Sequence, residues 1–459
     1  MIVNPDNPPA IRTIPAETGL PKETRVAVLF QRFGPYHHAR LNAAGRLLSV
    51  WGVEACAMED TYAWARVEGA AAFTRVTLTD RDSGDRRWKQ ELQRNLWRAL
   101  DEIKPQVVVI NGWSATDALS ALWWCGKNKI PAVVMSESTA WDEPRVFWKE
   151  WIKGRLVKMC AAGLAGGTPH TDYLAQLGLP RDRIFLGYDI VDNDYFAAGA
   201  AKWQKQKPEI EKQKLADRVG LAKIENLPSP ISHLPSSPFF LASARFIEKK
   251  NLARLVRAYA RYRALAEKSE IGNRKSEIWK LVLLGDGPLR ADLCRQISDL
   301  GLQDFVLLPG FKQYDELPAF FGLAGAFIHA STTEQWGLVV NEAMASGLPV
   351  LVSNRCGCAA DLVKEGVNGF TFDPLDPEQL PQLMLRISNF QFPISSFGTA
   401  SRRIIADWGP ERFAGGLRDA VAVTLKQPCP RAGLLDRLLL RLALNYDFHL
   451  QPGWYKGNA

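Results

Sequence analysis

The sequence has no uninterrupted apolar stretch of the roughly 18 residues that a membrane-spanning helix needs, although it is 459 residues long. The N-terminal region also lacks the basic and then apolar layout of a secretory signal peptide. Charge of one sign is not concentrated either, since 57 Lys and Arg stand against 49 Asp and Glu, a surplus of eight. Such a diffuse surplus does not indicate a nucleic-acid partner, but it suits an anionic ligand or weak attraction to acidic lipid. We therefore expect a cytoplasmic protein, with peripheral contact at the inner face of the membrane left open.

Cysteine is scarce, with seven residues scattered along the chain. Only Cys356 and Cys358 are close together, and no second pair of Cys or His residues has the spacing of metal ligands. We therefore predict reduced thiols and no structural zinc.

Hydrophobic residues make up 47% of the chain and charged residues 23%, as in an ordinary globular protein, and the length suits two large or three smaller domains. Short apolar runs occur at 25–30, 105–110, 131–135 and 238–243, with helical stretches between them. Continuous apolar runs indicate strands that are covered on both faces, and their alternation with helices indicates parallel, doubly wound α/β sheets. We therefore predict two α/β halves that face a ligand cleft.

The domain boundaries follow from changes in composition. A charged run, Lys202–Lys207, is followed by several prolines and few strand formers, which is typical of a linker or of a frayed helix plus a connector. The predicted divisions are a loose N-terminal extension at 1–23, a first domain at 24–199, a linker at 200–237, a second domain at 238–400 and a C-terminal helical segment at 401–459.

Two carboxylates, Glu334 and Glu342, stand eight positions apart in the most informative stretch of the sequence. A strand is predicted to end near Ser331 and a helix to begin near Gly337, so that free N–H groups of the helix offer an anion site suited to a phosphate. Carboxylates repel a phosphate, but they accept hydrogen bonds from hydroxyl groups that flank it. A nucleotide sugar meets both demands. On spacing alone, a non-functional interpretation is equally open, in which Glu342 is a solvated helix residue and Glu334 interacts favourably with the positive end of the helix dipole.

Two cations follow the first strand of the second half. Arg245 comes directly after the strand, and Lys250 lies five residues later, at the start of the next helix. Positive charges at the carboxyl end of a nucleotide-binding sheet would neutralise a pyrophosphate and stabilise it as a leaving group. The neighbouring Lys249 leaves a basic surface turn open as the alternative.

Taken in order, these motifs resemble the C-terminal half of the family 4-type (group 1) retaining glycosyltransferases, which have the GT-B fold. The E-x7-E signature of that family is matched by Glu334–Glu342, and its Arg and Lys pair by Arg245 and Lys250. A Gly-Asp-Gly-Pro turn at 285–288 and a Pro-Gly-Phe run at 309–311 lie between them in the family's order.

The resemblance is close over about 240–375, and it implies two Rossmann-like domains facing a cleft, with a C-terminal helix that returns to the first domain. It also implies a reaction without metal or cofactor, in which a phosphate oxygen of the leaving group takes the proton of the acceptor hydroxyl. The implied catalytic residues are Arg245, Lys250 and Glu334, and Glu334 would contact the sugar hydroxyls. The implied donor-binding residues are Gly34, Gly310, Phe311, Trp336, Gly337, Leu338, Val339 and Glu342.

The first half resembles the family more loosely. After the strand at 131–135, many members carry a histidine that contacts the transferred sugar, whereas this chain has Glu137. Glu137, His37 and Trp113 are kept as further candidate residues, although burial in the core is the commoner role of such tryptophans. The nucleobase and the sugar stay open, and so does the acceptor, which could be a glycan, a lipid-linked compound or a small molecule.

An apolar helix with arginines at 437 and 441 is predicted at 431–444. Packing of this helix across the first domain is the favoured interpretation. An interfacial anchor that brings the enzyme to a lipid-linked acceptor at a membrane is the alternative.

Two other classes of function stay open. A sugar-nucleotide epimerase would need an acidic and histidine set that is not found, and a glycan phosphorylase would need a lysine for pyridoxal phosphate in a recognisable context. A non-catalytic nucleotide-sugar-binding protein is disfavoured because the Arg, Lys and two Glu residues of the motifs are all present. An NAD enzyme is disfavoured because no G-x-G-x-x-G follows the strands at 25–30 or 238–243. We therefore predict a glycosyltransferase of glycan or glycoconjugate biosynthesis with a nucleotide diphosphate sugar as donor.

Overall fold

The computed structural model describes residues 19–58, 64–67, 69, 71–218, 234–235, 237–271, 274–275, 278–389 and 394–445. Within these ranges the chain forms two α/β domains, each built around a parallel sheet. The extension predicted at 1–23 lies outside the described residues up to residue 18.

The first domain is built on a seven-stranded sheet. Its strands are β1 (Arg25–Phe30), β2 (Ser49–Met58), β3 (Thr74–Arg81), β4 (Val107–Ile110), β5 (Ala132–Ser136), β6 (Ala162–Ala165) and β7 (Ile184–Leu186). They pair in parallel in the order β3-β2-β1-β4-β5-β6-β7. All four residues of β4, three valines and an isoleucine, are buried, because helices cover both faces of the sheet. These helices include α1 (Pro35–Gly45), α2 (Arg86–Ile103), α3 (Thr116–Asn128), α4 (Phe147–Val157) and α5 (Thr168–Gln176).

The second domain has a six-stranded parallel sheet and a short antiparallel ribbon. Its elements are α6 (Asn193–Arg218), β8 (Phe239–Ser243), α7 (Leu252–Lys268), β9 (Glu270–Ile271), β10 (Arg274–Lys275), β11 (Lys280–Leu284), α8 (Arg290–Asp299), β12 (Val306–Gly310), α9 (Leu317–Leu323), β13 (Ala326–His329), α10 (Leu338–Ala345), β14 (Val350–Ser353), α11 (Ala359–Leu362), β15 (Gly369–Phe372), α12 (Gln379–Ser388) and α13 (Ile394–Ile405). The strand order β12-β11-β8-β13-β14-β15 reverses between β8 and β13. Ligands of such sheets bind at the carboxyl ends of the strands beside this reversal.

The C-terminal segment returns to the first domain, as predicted. Helix α14 (Pro410–Lys426) packs against α1, β6 and β7, with Phe413 and Leu417 buried in the core of that domain. Helix α15 (Leu434–Asn445) packs on α3 and α4 and buries Leu440. The predicted packing of the C-terminal helix across the first domain is therefore confirmed.

The prediction of a linker at 200–237 is wrong for residues 200–218. Helix α6 runs across the boundary predicted at 199 and packs against α9 and α10 of the second domain, with Phe196 and Ala200 buried. The lysine- and glutamine-rich run lies on this helix, because long unbranched polar side chains are good helix formers. The first domain therefore ends before residue 193.

The chain passes between the domains at two places that lie side by side. One crossing precedes α6, and the other lies between α13 and α14. The side-chain amide of Asn193 donates a hydrogen bond of 2.7 Å to the carbonyl of Ile405, so the two crossings are joined.

None of the helices within the described ranges is both long and apolar enough to cross a bilayer. All seven cysteines lie within the described ranges, and none forms a disulfide bond there.

The loop that begins at Arg245 is supported by the Gly-Asp-Gly-Pro turn after β11. The N–H of Phe246 donates to the carbonyl of Asp286 at 2.8 Å. Gly285 has a φ of +130°, and a Cβ placed there would lie 1.9 Å from the carbonyl oxygen of Ala244. Only glycine permits this close approach.

We expect Gly285→Ala to lower the free energy of unfolding by about 2 kcal/mol or more, because it adds both backbone strain and a clash. Gly415→Ala is the matched control, since a Cβ placed at this position in α14 would have no other atom within 4 Å. That variant should be as stable as the wild type or gain roughly 0.5 kcal/mol. Urea denaturation of the three proteins measures the difference, and equal midpoints for both variants would contradict the prediction.

Candidate active site between the two domains

Glu334 lies in the loop between β13 and α10, where its carboxylate is held ionised. It accepts a hydrogen bond from Lys250 Nζ, and its Oε1 lies 3.6 Å from Lys249 Nζ. His329 Nε2 lies 3.3 Å and Ser331 Oγ 3.2 Å from its Oε2. Burial alone would raise the pKa of Glu334, but Lys250, His329 and Lys249 hold that pKa well below its usual range. The predicted site residues Glu334 and Lys250 are thus in direct contact.

Lys249 belongs to the same cluster, although the sequence analysis treated it as a sign of a surface turn. Burial lowers the pKa of Lys249, while the Glu334 carboxylate acts to raise it. The backbone carbonyl of Lys249 accepts the N–H of Thr332 at 2.9 Å, so main chain and side chain both tie the loop after β8 to the Glu334 loop. The interpretation of a basic surface turn is therefore wrong for Lys249 and Lys250. Arg245 stands at the start of that loop with an exposed side chain.

Glu342 is buried in α10, with 1% of its surface exposed. Its Oε1 accepts a hydrogen bond from the hydroxyl of Tyr36, which belongs to α1 of the first domain. Burial raises the pKa of Glu342 to about 8, and the Tyr36 hydrogen bond offsets only part of this effect. Oε2 has no hydrogen-bond partner among the described residues. The alternative of a solvated helix residue is therefore wrong.

The start of α10 presents backbone N–H groups beside these carboxylates. Gly337 adopts a φ of +104°, and the first backbone bond of the turn runs from the N–H of Val340 to the carbonyl of Gly337, at 2.8 Å. The N–H groups of Leu338 and Val339 precede that bond and can be donated to a ligand. The side chain of Trp336 is buried and donates its indole N–H to Asn341 Oδ1 at 2.9 Å. Only the backbone of Trp336 can therefore take the predicted part in donor binding.

Gly310 and Phe311 stand at the carboxyl end of β12. Gly310 has a φ of +84° and turns the chain, and 42% of the Phe311 surface is exposed. An exposed aromatic ring in this position can stack on a nucleobase. Two residues on, the side-chain carbonyl of Gln313 accepts the N–H of Ala65 from the first domain at 3.2 Å. These two predicted donor-binding residues thus border the cleft.

Gly34 and His37 form the start of α1. The N–H of Gly34 donates to His37 Nδ1 at 3.1 Å, which caps the helix. Burial, assisted by Arg40 and Arg32, lowers the pKa of His37 to about 3, so the ring is neutral. The structure explains His37 as a capping residue. Gly34 precedes Tyr36, so the predicted loop does approach Glu342.

Glu137 faces the Glu334 cluster from the end of β5. Burial raises the pKa of Glu137, while the positive charges of Arg40 and Lys249 lower it and the negative charge of Glu334 raises it further. Asp189 lies 3.9 Å from Arg40, and burial together with Glu137 raises its pKa well above the usual range. Arg40 and Asp189 carry no signal in the sequence for this role, because one stands inside α1 and the other in a connector that departs from the family pattern.

A second glycine and histidine pair joins the domains beside Glu334. The N–H of Gly167 donates to His170 Nδ1 at 3.0 Å, so that Nε2 carries the proton and donates to the carbonyl of Gln335 at 2.9 Å. The hydroxyl of Thr168 donates to Asp361 Oδ1 at 2.6 Å. The sequence carried a signal for this contact, since Gly-Thr-Pro-His repeats the spacing of Gly-Pro-Tyr-His at 34–37.

Trp113 lies away from this cluster. It is 5% exposed and its ring packs 6.2 Å from that of Tyr173 in the core of the first domain. Trp113 is therefore a core residue, which is the commoner role of such tryptophans, and its burial contradicts the expectation of a site residue.

Arg245, Lys249 and Lys250 are the predicted or neighbouring cations of the loop after β8, and both lysines lie beside Glu334. Within the described part of the chain, no three or more Cys, His, Asp or Glu side chains are grouped so as to hold a metal ion.

Comparison of the fold with solved structures identifies its class. HepE of Anabaena, solved in complex with UDP, superposes with a TM-score of 0.60 at 16% identity, covering 86% of this chain and 98% of that one. Sucrose-phosphate synthase of Thermosynechococcus elongatus superposes with a TM-score of 0.61 at 15% identity, covering 85% and 96%. The two Rossmann-like sheets and the returning C-terminal helix are those of the GT-B fold.

Sequence comparison identifies the second domain more narrowly. Residues 224–392 match the family described as "Glycosyl transferases group 1", a match that covers the second domain and not the first. The α-monoglucosyldiacylglycerol synthase of Streptococcus pneumoniae is 31% identical over 155 residues, which is 32% of this chain and 33% of that protein. The chain spans well under half the length of this and the other curated relatives first matched.

The raised pKa of Glu342 predicts a pH dependence of stability. The folded protein binds this proton more tightly than the unfolded chain, so stability is lost as the pH rises from about 4.5 to about 8. Glu342→Gln cannot ionise, so its free energy of unfolding should rise relative to that of the wild type over this window. The difference should grow by up to about 1.4 kcal/mol per pH unit.

Urea denaturation of both proteins at pH 5, 6.5 and 8 gives this difference, because all other titrating groups are common to the two. A difference that stays constant with pH would mean that Glu342 titrates in its ordinary range.

Proposed function

We propose that this protein is a retaining, metal-independent glycosyltransferase that moves a hexose-like unit from a nucleotide diphosphate donor to an acceptor hydroxyl. The observation that carries the proposal is a pair of buried carboxylates. Glu334 lies in the loop before α10 and Glu342 lies in α10, and the pKa of Glu334 is lowered whereas that of Glu342 is raised. Glu334 is held ionised by lysines. Glu342 is buried, and one of its own carboxylate oxygens has no hydrogen-bond partner among the described residues.

The donor diphosphate is proposed to bind at the start of α10. There the N–H groups of Leu338 and Val339 and the cations Arg245, Lys249 and Lys250 surround a region that favours negative charge. UDP in the HepE structure, and UDP-glucose in another structure of that protein, are consistent with such a donor. The nucleobase would lie near Gly310 and Phe311.

The two carboxylates are proposed to recognise the hydroxyl groups on either side of the diphosphate. Buried polar atoms of folded proteins nearly always have a hydrogen-bond partner, so the unsatisfied Oε2 of Glu342 indicates that a ligand hydroxyl, here of the ribose, completes the site. Glu334, held ionised, would accept hydrogen bonds from the sugar. Glu137, whose pKa is raised by burial, would meet the sugar or the acceptor from the first domain.

The chemistry then needs stabilisation of the leaving diphosphate more than a strong base. As the bond between the sugar carbon and the phosphate oxygen breaks, negative charge develops on the diphosphate, and the fixed cations and amides stabilise it. The acceptor hydroxyl attacks on the same face, and the departing phosphate oxygen takes its proton. The configuration at the sugar carbon is retained in such a reaction.

Arg245→Ala should lower kcat by about 100-fold, because a cation that stabilises the leaving group acts mostly in the transition state. Glu342→Ala should chiefly weaken nucleotide binding, by about tenfold in Kd. Arg257→Ala, an exposed position on α7, is the matched control and should behave as the wild type. A thermal-shift screen of nucleoside diphosphates and their sugars selects the donor, after which calorimetric titration and initial rates are measured. An Arg245→Ala enzyme with wild-type turnover would sink the assignment.

Retention and metal independence are tested together by following the reaction with NMR in excess EDTA. The expected product has the anomeric configuration of the donor sugar, and the rate in EDTA equals the rate with added Mg²⁺. Formation of the opposite anomer, or loss of activity that Mg²⁺ restores, would contradict this mechanism.

A further inference from the structure

Large hydrophobic side chains that are exposed to solvent are concentrated on one side of the first domain. Those within the described residues are Leu47, Met58, Trp141, Val146, Phe147, Trp148, Trp151, Leu300, Phe311, Val367, Leu375, Leu425, Leu434, Leu435 and Leu438. Eight of these fifteen fall in two short segments, 141–151 and 434–438. Four of the five aromatic residues among them fall in the first segment. Scattered exposed apolar residues are normal, but a concentration of this kind marks an interaction surface.

Helix α4 explains the first segment. Its inner side buries Ile152 and Leu156 in the core of the domain, while Phe147 is 86% exposed and Trp148 and Trp151 are each more than two-fifths exposed. Positions 147, 148 and 151 share one side of a helix, because residues three and four apart are neighbours on its surface. The sequence thus gives α4 two apolar sides, of which only one is used by the fold.

Helix α15 explains the second segment. It buries Leu440 against the first domain, while Leu434 is 87% exposed and Leu435 and Leu438 are also exposed. Arg155 at the end of α4 donates a hydrogen bond of 2.6 Å to Asp436 of α15, which fixes the two helices side by side. Their exposed residues therefore belong to one continuous surface, which we call the α4–α15 face.

Cations lie beside the aromatic residues of this face, and acidic side chains such as Glu150 and Asp436 pair with some of them. Lys149 Nζ lies 5.8 Å from the ring centre of Trp148, and the Arg155 guanidinium lies 5.9 Å from that of Trp151. Beside Trp151, a cavity of about 290 Å³ is lined by two cations, Arg155 and Lys158, and by one acid, Glu150. Tryptophan rings beside lysine and arginine are typical of surfaces that lie at the boundary between water and anionic lipid.

We propose that the α4–α15 face docks on an anionic lipid bilayer, with its aromatic and leucine side chains in the interfacial region and its cations on lipid phosphates. The proposal rests on the proposed function, which allows a lipid-linked acceptor. Trp141 stands four residues after Glu137, in the loop that leads from the cleft to α4, so a docked membrane would lie next to the first-domain side of the cleft. The charge around the face, and its aromatic content, favour a bilayer over a protein partner.

The test is cosedimentation of the full chain with vesicles of phosphatidylcholine alone and of phosphatidylcholine with 30% phosphatidylglycerol. The wild type should partition at least tenfold more strongly to the anionic vesicles, and 0.5 M NaCl should weaken this binding because it screens the cations. A combined Phe147→Ser, Trp148→Ser, Leu434→Ser variant should lose at least tenfold. Leu300→Ser, Leu375→Ser, with two exposed leucines of the second domain replaced, is the matched control and should bind as the wild type.

Three outcomes would overturn the proposal: no binding of the wild type to anionic vesicles, full binding by the combined variant, or self-association of the wild type without lipid that the combined variant abolishes. The last outcome, seen by analytical ultracentrifugation, would assign the face to a second copy of this chain. Thermal melting shows whether the variants are folded. The thermal shift on adding the nucleotide should be the same in all variants, so failure of membrane docking is distinguishable from failure of the proposed donor site.

Discussion

Neutralisation of buried acid between the domains is the constraint on which the rest of this structure depends. Glu334 is stabilised in its buried position by Lys249 and Lys250, which converge on it from the loop after β8, and by His329. Removing either partner of such a pair leaves an uncompensated buried charge, which costs several kcal/mol. The same loop begins at Arg245, so the lysines that neutralise Glu334 and the arginine of the proposed diphosphate site belong to one short segment.

The first domain completes this site instead of merely covering it. Tyr36 reaches Glu342, His170 reaches the backbone beside Glu334, and Glu137 faces Lys249. All three stand just after strands β1, β6 and β5, so parallel topology brings residues that are far apart in sequence to one edge. A nucleotide sugar that enters the cleft would therefore meet groups from both sheets at once, and the Tyr36 contact with Glu342 is the one that a ribose would have to share or replace.

The sequence predicted the second domain well and the first domain poorly, for physical reasons. Strands such as β11 are uninterrupted apolar runs, and the carboxylates eight residues apart mark the site directly. Strand β2 does not form an uninterrupted apolar run, because it contains Glu54. This residue is fully buried and pairs with Arg75 from β3, a contact that exists only after folding. The composition of 200–218 also favoured a linker, whereas the polar run in this range is part of helix α6. The contact of His170 with the second domain and the contact of Asp189 with Arg40 depend on tertiary placement, and only the first has a local signal, the Gly-Thr-Pro-His spacing at 167–170.

The return of the C-terminal segment has a consequence for biogenesis. The sheet of the first domain lacks part of its apolar cover until α14 is in place, because Phe413 and Leu417 pack against Val28 and Val109 in one cluster. A ribosome finishes the strands of this sheet more than two hundred residues before it makes α14. During synthesis the second domain can therefore complete its core first. Until α14 is made, the first domain exposes a hydrophobic surface that chaperones would recognise.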